Sequence, residues 1–419
     1  MGAVLEQAER AWQGDLGELN VHPGRVLVAL EVIDDGVAFM SAFSNALVVA
    51  TDAGLVFVDT SSFFHAQPLH ESVRRWTAAP VHTGIYTHGH VDHVFGLQRF
   101  HAEAQELGRR EIRILAHELC VARFDRYRLT NGYNGHINAR QFGFAQPVFP
   151  REFRYPDETI GAGRRLEIGG VTIELHHDRG ETDDALWAWL PERRALYTGD
   201  FFIWASPNCG NPQKAQRYPR EWAAALRKMA ALEPASLFPG HGPPILGAAR
   251  VAQALTESAE LLESICEQTL ALMNEGATLD TVLHTVRFPE ALLARPYLRP
   301  VYDDPSFVVR NLWRLYGGWY DGNPAHLKPA RDVELARTLA EVAGGAERLA
   351  ARAERCCADG ALALACELVR FAWLAAPDDP RVRSVHSAVF RARASAESSL
   401  MAKGIYRAAA RESGSDADA

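Results

Sequence analysis

The stretch THGHVDHVFG, residues 87–96, decides how this sequence folds and where its chemistry lies. Three histidines and one aspartate fall within six positions, directly after the strand-like run VHTGIYT. Imidazole nitrogens and carboxylate oxygens are ligands that suit zinc. We expect His88 and His90 to face one metal position, while Asp92 and His93 reach a second position about 3.5–4 Å away. The alternative is a solvated histidine cluster without a metal.

Three further ligand-type residues follow apolar runs later in the chain: Glu181 in HHDRGET, Asp200 in ALYTGD and His241 in SLFPGHG. A glycine precedes each of them, which allows a sharp turn that directs the next side chain inward. Loops that follow strands gather at one edge of a sheet, so all seven side chains are predicted to converge there. Because three more ligand-type residues follow strand-like runs in this way, a metal site is favoured over a solvated histidine cluster.

The sequence around these residues predicts an α/β domain followed by a helical one. Strand-like runs alternate with helical stretches between about residues 26 and 238, which is typical of a layered α/β domain. After residue 247, apolar residues recur at helical spacing, and residues 358–394 resemble a tetratricopeptide-like helix pair. We therefore predict a catalytic domain over 1–247, a helical domain over 248–410 and a disordered polar tail over 411–419.

Composition and charge exclude several classes of protein. The 419 residues contain 44 Lys and Arg against 52 Asp and Glu, a net charge of −8, which disfavours binding to nucleic acid phosphates. We find no apolar run of about 18 residues, so no membrane partner is expected. The first residues carry acids and lack a basic segment followed by an apolar run. We expect a cytoplasmic protein.

The motif HGHVDH, followed by GETDDALWAWLP, TGD and PGHG, resembles the metallo-β-lactamase superfamily of binuclear metallohydrolases. The resemblance implies a four-layer αβ/βα sandwich, here followed by the all-helical domain. It also implies that Asp59 is the family's structural aspartate beneath the metal loop, and that Asp92 and Asp200 serve catalysis as well as metal binding. The implied ligand sets are His88, His90 and Glu181 for the first metal, Asp92, His93 and His241 for the second, and Asp200 as the bridge.

Glu181 stands where most members of the superfamily have histidine, and in this it resembles the alkylsulfatase branch. The stretch WRLYGGWYDGNP, residues 313–324, is similar to the helical dimerisation domain of that branch, which implies a homodimer. Its alternative interpretation is an aromatic helix end packed in a core. Three features depart from the branch: Asp200 replaces its usual glutamate, a secretory leader is not expected, and neither is a sterol-carrier-like domain. Detergent-length alkyl sulfates are therefore not the expected substrates.

Two polar segments are candidates for the substrate pocket. Residues 130–143 resemble a segment of the alkylsulfatases that bears Asn and Arg, and there Asn138 and Arg140 are the candidates, since Arg can bind a sulfate-like anion with two parallel hydrogen bonds. Residues 208–218 follow Asp200 and contribute Lys214, Arg217 and Tyr218. The alternatives are an Asn/Gly turn that caps a helix and solvated surface charges.

The sequence thus predicts a metal-dependent hydrolase with two zinc ions and a bridging hydroxide as nucleophile, because metal binding lowers the pKa of water from about 15.7 to about 7. The branch implies a small, anionic substrate, a sulfate ester. One alternative is hydrolysis of a carboxylic ester, lactone or thioester, since Asp200 is the commoner bridging ligand and a fold does not determine function. The other is a non-catalytic scaffold with structural metals, which the seven ligand positions disfavour because structural sites are usually four-coordinate.

Overall fold

Short apolar runs separated by turn residues form strands, as predicted. The computed structural model describes residues 2–15 and 27–414, and the strands within these ranges form two sheets. The first sheet contains β1 (Ala29–Asp34), β2 (Val37–Ser41), β3 (Ala46–Thr51), β4 (Gly54–Val58), β5 (Val81–Ile85), β6 (Arg113–His117) and β7 (Glu158–Ile160). The second contains β8 (Gly163–Ile168), β9 (Val171–His177), β10 (Leu186–Leu190), β11 (Ala195–Gly199), β12 (Ser236–Pro239) and β13 (Ile245–Leu246).

The first sheet has its strands in chain order, antiparallel from β1 to β4 and parallel from β4 to β7. The second sheet has the order β13-β12-β11-β10-β9-β8, and β11 and β12 are its parallel pair. β3 and β4 form a hairpin with a short turn at residues 52 and 53, across which Thr51 pairs with Gly54.

Helices occupy the remaining regular segments of the described chain. Up to residue 231 they are α1 (Ala3–Trp12), α2 (Ala66–Trp76), α3 (Gln98–Glu106), α4 (Glu118–Leu129), α5 (Asn131–Phe142) and α6 (Pro219–Ala231). From residue 248 they are α7 (Ala248–Asn274), α8 (Leu279–Thr285), α9 (Glu290–Leu293), α10 (Pro305–Gly317), α11 (Asp332–Val342), α12 (Ala346–Ala358), α13 (Leu362–Ala375), α14 (Pro380–Ala396) and α15 (Leu400–Ser413).

The two sheets pack face to face, with helices on their outer faces. Between them, Phe39 of β2 lies against Phe238 of β12, with ring centroids 5.5 Å apart. Outside the first sheet, Phe57 of β4 packs on Phe100 of α3 at 5.2 Å, and α6 and α7 share a core with the outer face of the second sheet. Strands covered on both faces carry continuous apolar runs rather than alternating ones. The predicted four-layer αβ/βα sandwich is confirmed.

The chain divides into two compact units, and the division differs from the predicted boundary at residue 247. The first unit comprises Met1–Asn131 and Pro150–Gly318, and the second comprises Gly132–Phe149 and Trp319–Ala419. Residues 248–318 belong to the first unit because the apolar faces of α7 and α10 share a core with the second sheet.

The second unit is built from helices α11 to α15 and residues 132–149. The predicted helix pair over residues 358–394 corresponds to α13 and α14. Asp379 caps α14 by accepting a hydrogen bond from the Val382 amide at 2.9 Å, and Pro380 occupies the first helical position.

The predicted disordered tail requires a correction. Residues 411–413 are helical because Ser413, at the end of α15, is buried and its hydroxyl lies 2.6 Å from His386 Nδ1. Residues 415–419 lie outside the described part of the chain. Across the described residues, none of the helices has the length and apolar character needed to cross a bilayer.

Candidate metal centre

All seven predicted metal ligands converge where the strands of the two sheets end. β5 ends just before the HGHVDH motif, while β11 and β12 end just before Asp200 and His241. The ligand atoms form two groups, in each of which they lie within 4.8 Å of one another. The groups are His88, His90, Glu181 and Asp200, and Asp92, His93 and His241.

Asp200 lies between the two groups. Its Oδ2 is 3.6 Å from His88 Nε2, whereas its Oδ1 is 3.3 Å from His93 Nε2 and 3.4 Å from His241 Nε2. The two carboxylate oxygens therefore face different groups, which is the geometry that a bridging ligand requires.

Glu181 contributes one oxygen to the first group and uses the other for hydrogen bonds. Its Oε2 lies 3.5 Å from His90 Nδ1. Its Oε1 accepts hydrogen bonds from the side chains of Asn208 and Arg217. Because the guanidinium holds one oxygen, the other is directed toward the histidines.

Hydrogen bonds on the far side of the imidazole rings orient their Nε2 atoms. His93 Nδ1 lies 2.7 Å from Asp59 Oδ2, and Thr87 Oγ1 donates to the same carboxylate at 2.8 Å. The Thr87 hydroxyl can therefore accept from His88 Nδ1, 3.0 Å away. Such bonds fix the tautomer that leaves Nε2 free to bind a metal. Asp59 occupies the supporting position that the resemblance implies.

The residues present fit divalent metal ions. His93 Nε2, Glu181 Oε2 and Asp200 Oδ1 are buried and form no hydrogen bond with any described residue, and all three belong to the two groups. Buried polar atoms normally have partners. Three unsatisfied nitrogen and oxygen atoms, together with imidazole and carboxylate donors, are what a zinc site offers.

The charges in the cluster also favour a bound cation. Burial, and then the neighbouring His93 and His90, hold the pKa of His88 well below its usual value, so its imidazole is neutral. Burial would lower the pKa of His93, but the carboxylates of Asp200 and Asp59 raise it well above its usual range. The acids therefore favour positive charge at this place, which a bound cation would supply.

Two different physical causes explain why glycine precedes each of the three downstream ligand candidates. Gly199 has a φ of 51°, so the predicted turn explains it. A Cβ on Gly180 would lie 2.5 Å from the Phe201 ring, and one on Gly240 would lie 2.2 Å from Asp200 Oδ1. The chain bends at both residues, as expected, but neither has a positive φ, so close packing is what requires glycine there.

Among the predicted substrate residues, Arg217 has a different place from the one expected. It is only 2% exposed, and its guanidinium donates to Glu181 and to the Asn208 carbonyl. Its contacts make it a support for the candidate ligand Glu181 rather than a group that faces a substrate.

The other predicted substrate residues remain candidates. Burial and then Arg217 lower the pKa of Lys214 to about 8, against the opposing charges of Asp92 and Glu181. Tyr218 lies under the Arg179 guanidinium at 5.2 Å. Asn138 and Arg140 lie on the part of α5 that belongs to the second unit, and their role stays a prediction.

Sequence reasoning missed several residues that support or face the cluster. Asp184 accepts hydrogen bonds from the Gly89 amide at 3.0 Å and from Arg123 Nε at 2.9 Å, and its position in GETDDALW was the available signal. Burial raises the pKa of Tyr302 well above its usual value, and so do the nearby carboxylates of Glu181 and Asp92. No local pattern connects Tyr302 with the motif.

Two family profiles match the sequence. The profile "Metallo-beta-lactamase superfamily" matches residues 42–241, and "Alkyl sulfatase dimerisation" matches residues 278–416. Together they include all seven ligand candidates and helices α8 to α15.

Known proteins resemble this chain over most of its length. The chain is 26% identical to a linear primary-alkylsulfatase of Pseudomonas sp. (strain ATCC 19151), over 82% of this chain and 69% of that protein. It is 26% identical to the alkyl/aryl-sulfatase BDS1 of Saccharomyces cerevisiae, over 74% of this chain and 52% of that protein. A solved structure of the stereoselective inverting sec-alkylsulfatase Pisa1 from Pseudomonas sp. superposes with a TM-score of 0.82 at 22% identity, covering 92% of this chain and 66% of that one. The chain thus spans about half to two thirds of the length of these relatives.

Proposed function

Because this chain belongs to the metallo-β-lactamase superfamily, in its alkylsulfatase-like branch, we propose that it is a binuclear metal-dependent hydrolase of a sulfate ester. The observation that carries the proposal is the pair of ligand groups joined by Asp200, with Glu181 as the third ligand of the first group. Two zinc ions bound there would lower the pKa of water and stabilise charge that develops on the leaving oxygen.

The residues of the chain have separate tasks in this proposal. His88, His90 and Glu181 hold the first metal, and Asp200 sets the separation of the two positions. Asp92, 3.4 Å from His241 Nε2, completes the second position with His93. Asp92 and Asp200 also bring the negative charge that keeps two divalent ions together in a buried place.

The substrate is proposed to be a small anion. Lys214 is close enough to Asp92 and Glu181 for their charges to act on its ammonium group, so it supports binding of a sulfate group beside the metals. Asn138, Arg140 and Tyr218 are further candidates for substrate binding. The relatives named above, which act on alkyl and aryl sulfates by their names, support the same class of ester.

A second activity is favoured by one specific residue. Asp200 is the bridging ligand common in the superfamily, whereas the alkylsulfatase branch is expected to have glutamate. Hydrolysis of a carboxylic ester, lactone or thioester at the same metals is therefore the alternative.

One panel of substrates separates the two activities. Zinc-loaded protein is incubated with primary and secondary alkyl sulfates, an aryl sulfate, and matched acyl esters, lactones and thioesters, and released sulfate or acid is measured. We expect turnover of sulfate esters that is lost in His90→Ala. Turnover of acyl compounds alone would replace the proposal by its alternative, and absence of turnover and of bound metal would overturn both.

A homodimer is the proposed assembly. The dimerisation profile covers residues 278–416, and within the second unit α11 carries an exposed apolar stripe. Leu335, Leu339 and Val342 are 45%, 37% and 83% exposed and lie at helical spacing. An exposed stripe of this kind is typical of an interaction surface.

The expected cytoplasmic location stays a prediction.

A further inference from the structure

Glu181 depends on a loop that follows Asp200. Residues 206–217 lie in the connection between β11 and α6. Two of their side chains, Asn208 and Arg217, donate to Glu181 Oε1. Arg217 also donates to the Asn208 carbonyl, so the two donors are tied to each other. The direction of Glu181 Oε2 therefore depends on the position of this loop.

The loop is in turn bound to residues 299–314, which comprise most of α10 and the segment before it. At one end, the Ser206 amide donates to the Arg299 carbonyl at 3.0 Å. In the middle, the Gly210 amide donates to Asp303 Oδ2 at 2.7 Å. We call residues 299–314 the clamp segment.

At the other end of the loop, Asn311 and Arg217 bond reciprocally. The Arg217 amide donates to Asn311 Oδ1 at 3.3 Å, and Asn311 Nδ2 donates to the Arg217 carbonyl at 2.9 Å. Next to them, Gln216 Nε2 donates to Asn311 Oδ1 at 2.8 Å, and Arg314 Nε donates to Gln216 Oε1 at 2.9 Å. The residue that holds Glu181 thus has its backbone fixed on both sides by one asparagine.

The loop packs tightly against α10. A Cβ on Gly210 would lie 2.2 Å from the Phe307 carbonyl carbon and 2.3 Å from the Val308 amide nitrogen. Asp303 and Asn311 are buried, and a buried polar group that loses its partner destabilises the native state. The polar contacts therefore define one register of the loop against α10.

We infer that the clamp segment positions the metal ligand Glu181 through residues 206–217, with Asp303 and Asn311 as its positioning residues. The first part of the region matched by the dimerisation profile thereby completes the metal centre of the same chain. This inference rests on the proposed function, because it requires that Glu181 binds a metal.

The test measures zinc affinity on the full chain by competition with a chromophoric chelator. Asn311→Ala should weaken one of the two bound zinc ions by about 10-fold or more, in line with the loss of groups that support a ligand. The other zinc ion, held by Asp92, His93 and His241, should keep its affinity. Arg310→Ala, an exposed neighbour on the same helix, is the matched control and should bind both ions normally.

Two substitutions of Asp303 test the other end of the clamp segment. Asp303→Ala should show the same selective loss, whereas Asp303→Asn should restore affinity because its amide oxygen still accepts the Gly210 N–H. This pair decides the matter if Asn311→Ala does not fold. Unchanged affinity in Asn311→Ala and Asp303→Ala, or equal loss of both zinc ions, would overturn the inference while the proposed function stands. A wild-type protein that binds no zinc would overturn both.

Discussion

We predict that Asn45, although distant in the sequence, positions His241, a proposed metal ligand. It is fully buried in the turn between β2 and β3. Its Nδ2 donates to the Pro239 and Gly242 carbonyls at 2.9 and 2.8 Å, and its Oδ1 accepts from the Ala42 amide at 3.1 Å. His241 lies between the two carbonyls that Asn45 holds. Asn45→Ala removes all three hydrogen bonds and leaves the backbone groups behind.

The expected cost follows from the groups left unpaired. Each buried group without a partner costs about 1–3 kcal/mol, and Gly242 is partly exposed to water, so the free energy of unfolding should fall by about 2–5 kcal/mol. The loop that carries His241 also gains freedom, so the zinc ion held by His241 should bind about 10-fold more weakly.

Urea unfolding and chelator competition measure the two effects separately. Leu262→Ala is the control, because truncating this buried residue of α7 should cost about 2–5 kcal/mol by opening a cavity. It should leave both zinc affinities unchanged. If Asn45→Ala loses similar stability but binds both ions as the wild type does, Asn45 supports the fold alone and the reasoning is refuted.

Three further predictions concern charge and assembly. Glu181→Gln keeps the shape of the ligand but removes its charge, so metal affinity should fall about 10-fold or more, and wild-type metal content by elemental analysis would contradict the assignment. Burial raises the pKa of Asp303 from 3.8 to about 7, so the native state loses stability as the pH rises from about 4 to about 7 and this carboxyl ionises. Asp303→Asn should therefore add up to roughly 4 kcal/mol to the free energy of unfolding above pH 7 and little near pH 4, and a difference independent of pH would contradict the shift. In light scattering, the wild type should have twice the chain mass of 46.2 kDa, and Val342→Glu should have the mass of one chain. A wild-type protein with the mass of one chain would contradict the proposed dimer.

Local pattern was enough to predict a layered α/β domain and the convergence of the ligand candidates. Strand and helix periods arise from contacts between residues close in the chain, so the alternation before residue 238 and the helical spacing after residue 247 predicted element type correctly. The ligands could be recognised because each follows a strand, and strand ends of one sheet lie at a common edge. His88, His90 and Asp92 also lie within five positions of the sequence, so their proximity in space could be predicted without the tertiary structure.

Other assignments depended on contacts that no local pattern encodes. Arg217 could be a surface cation, a substrate group or a support for Glu181, and all three alternatives leave the same sequence signal. The partner of its backbone, Asn311, lies in α10, 94 positions further along the chain. Tyr302 is likewise far in sequence from Glu181 and Asp92, whose charges act on it. Similarly, helical spacing after residue 247 did not indicate that α7 and α10 would cover the second sheet, because an apolar helix face does not specify which surface it will bury.

The sequence by itself therefore determined the fold class, the strand-end position of the seven ligand candidates and the grouping of those nearest in the chain. Only the tertiary structure decided that Arg217 and Asn208 direct Glu181, and that residues 248–318 belong to the unit that carries the candidate metal centre. The physical reason is that periodicity reports which face of an element is apolar, whereas hydrogen-bond partners and helix docking depend on surfaces that meet only when the whole chain has folded.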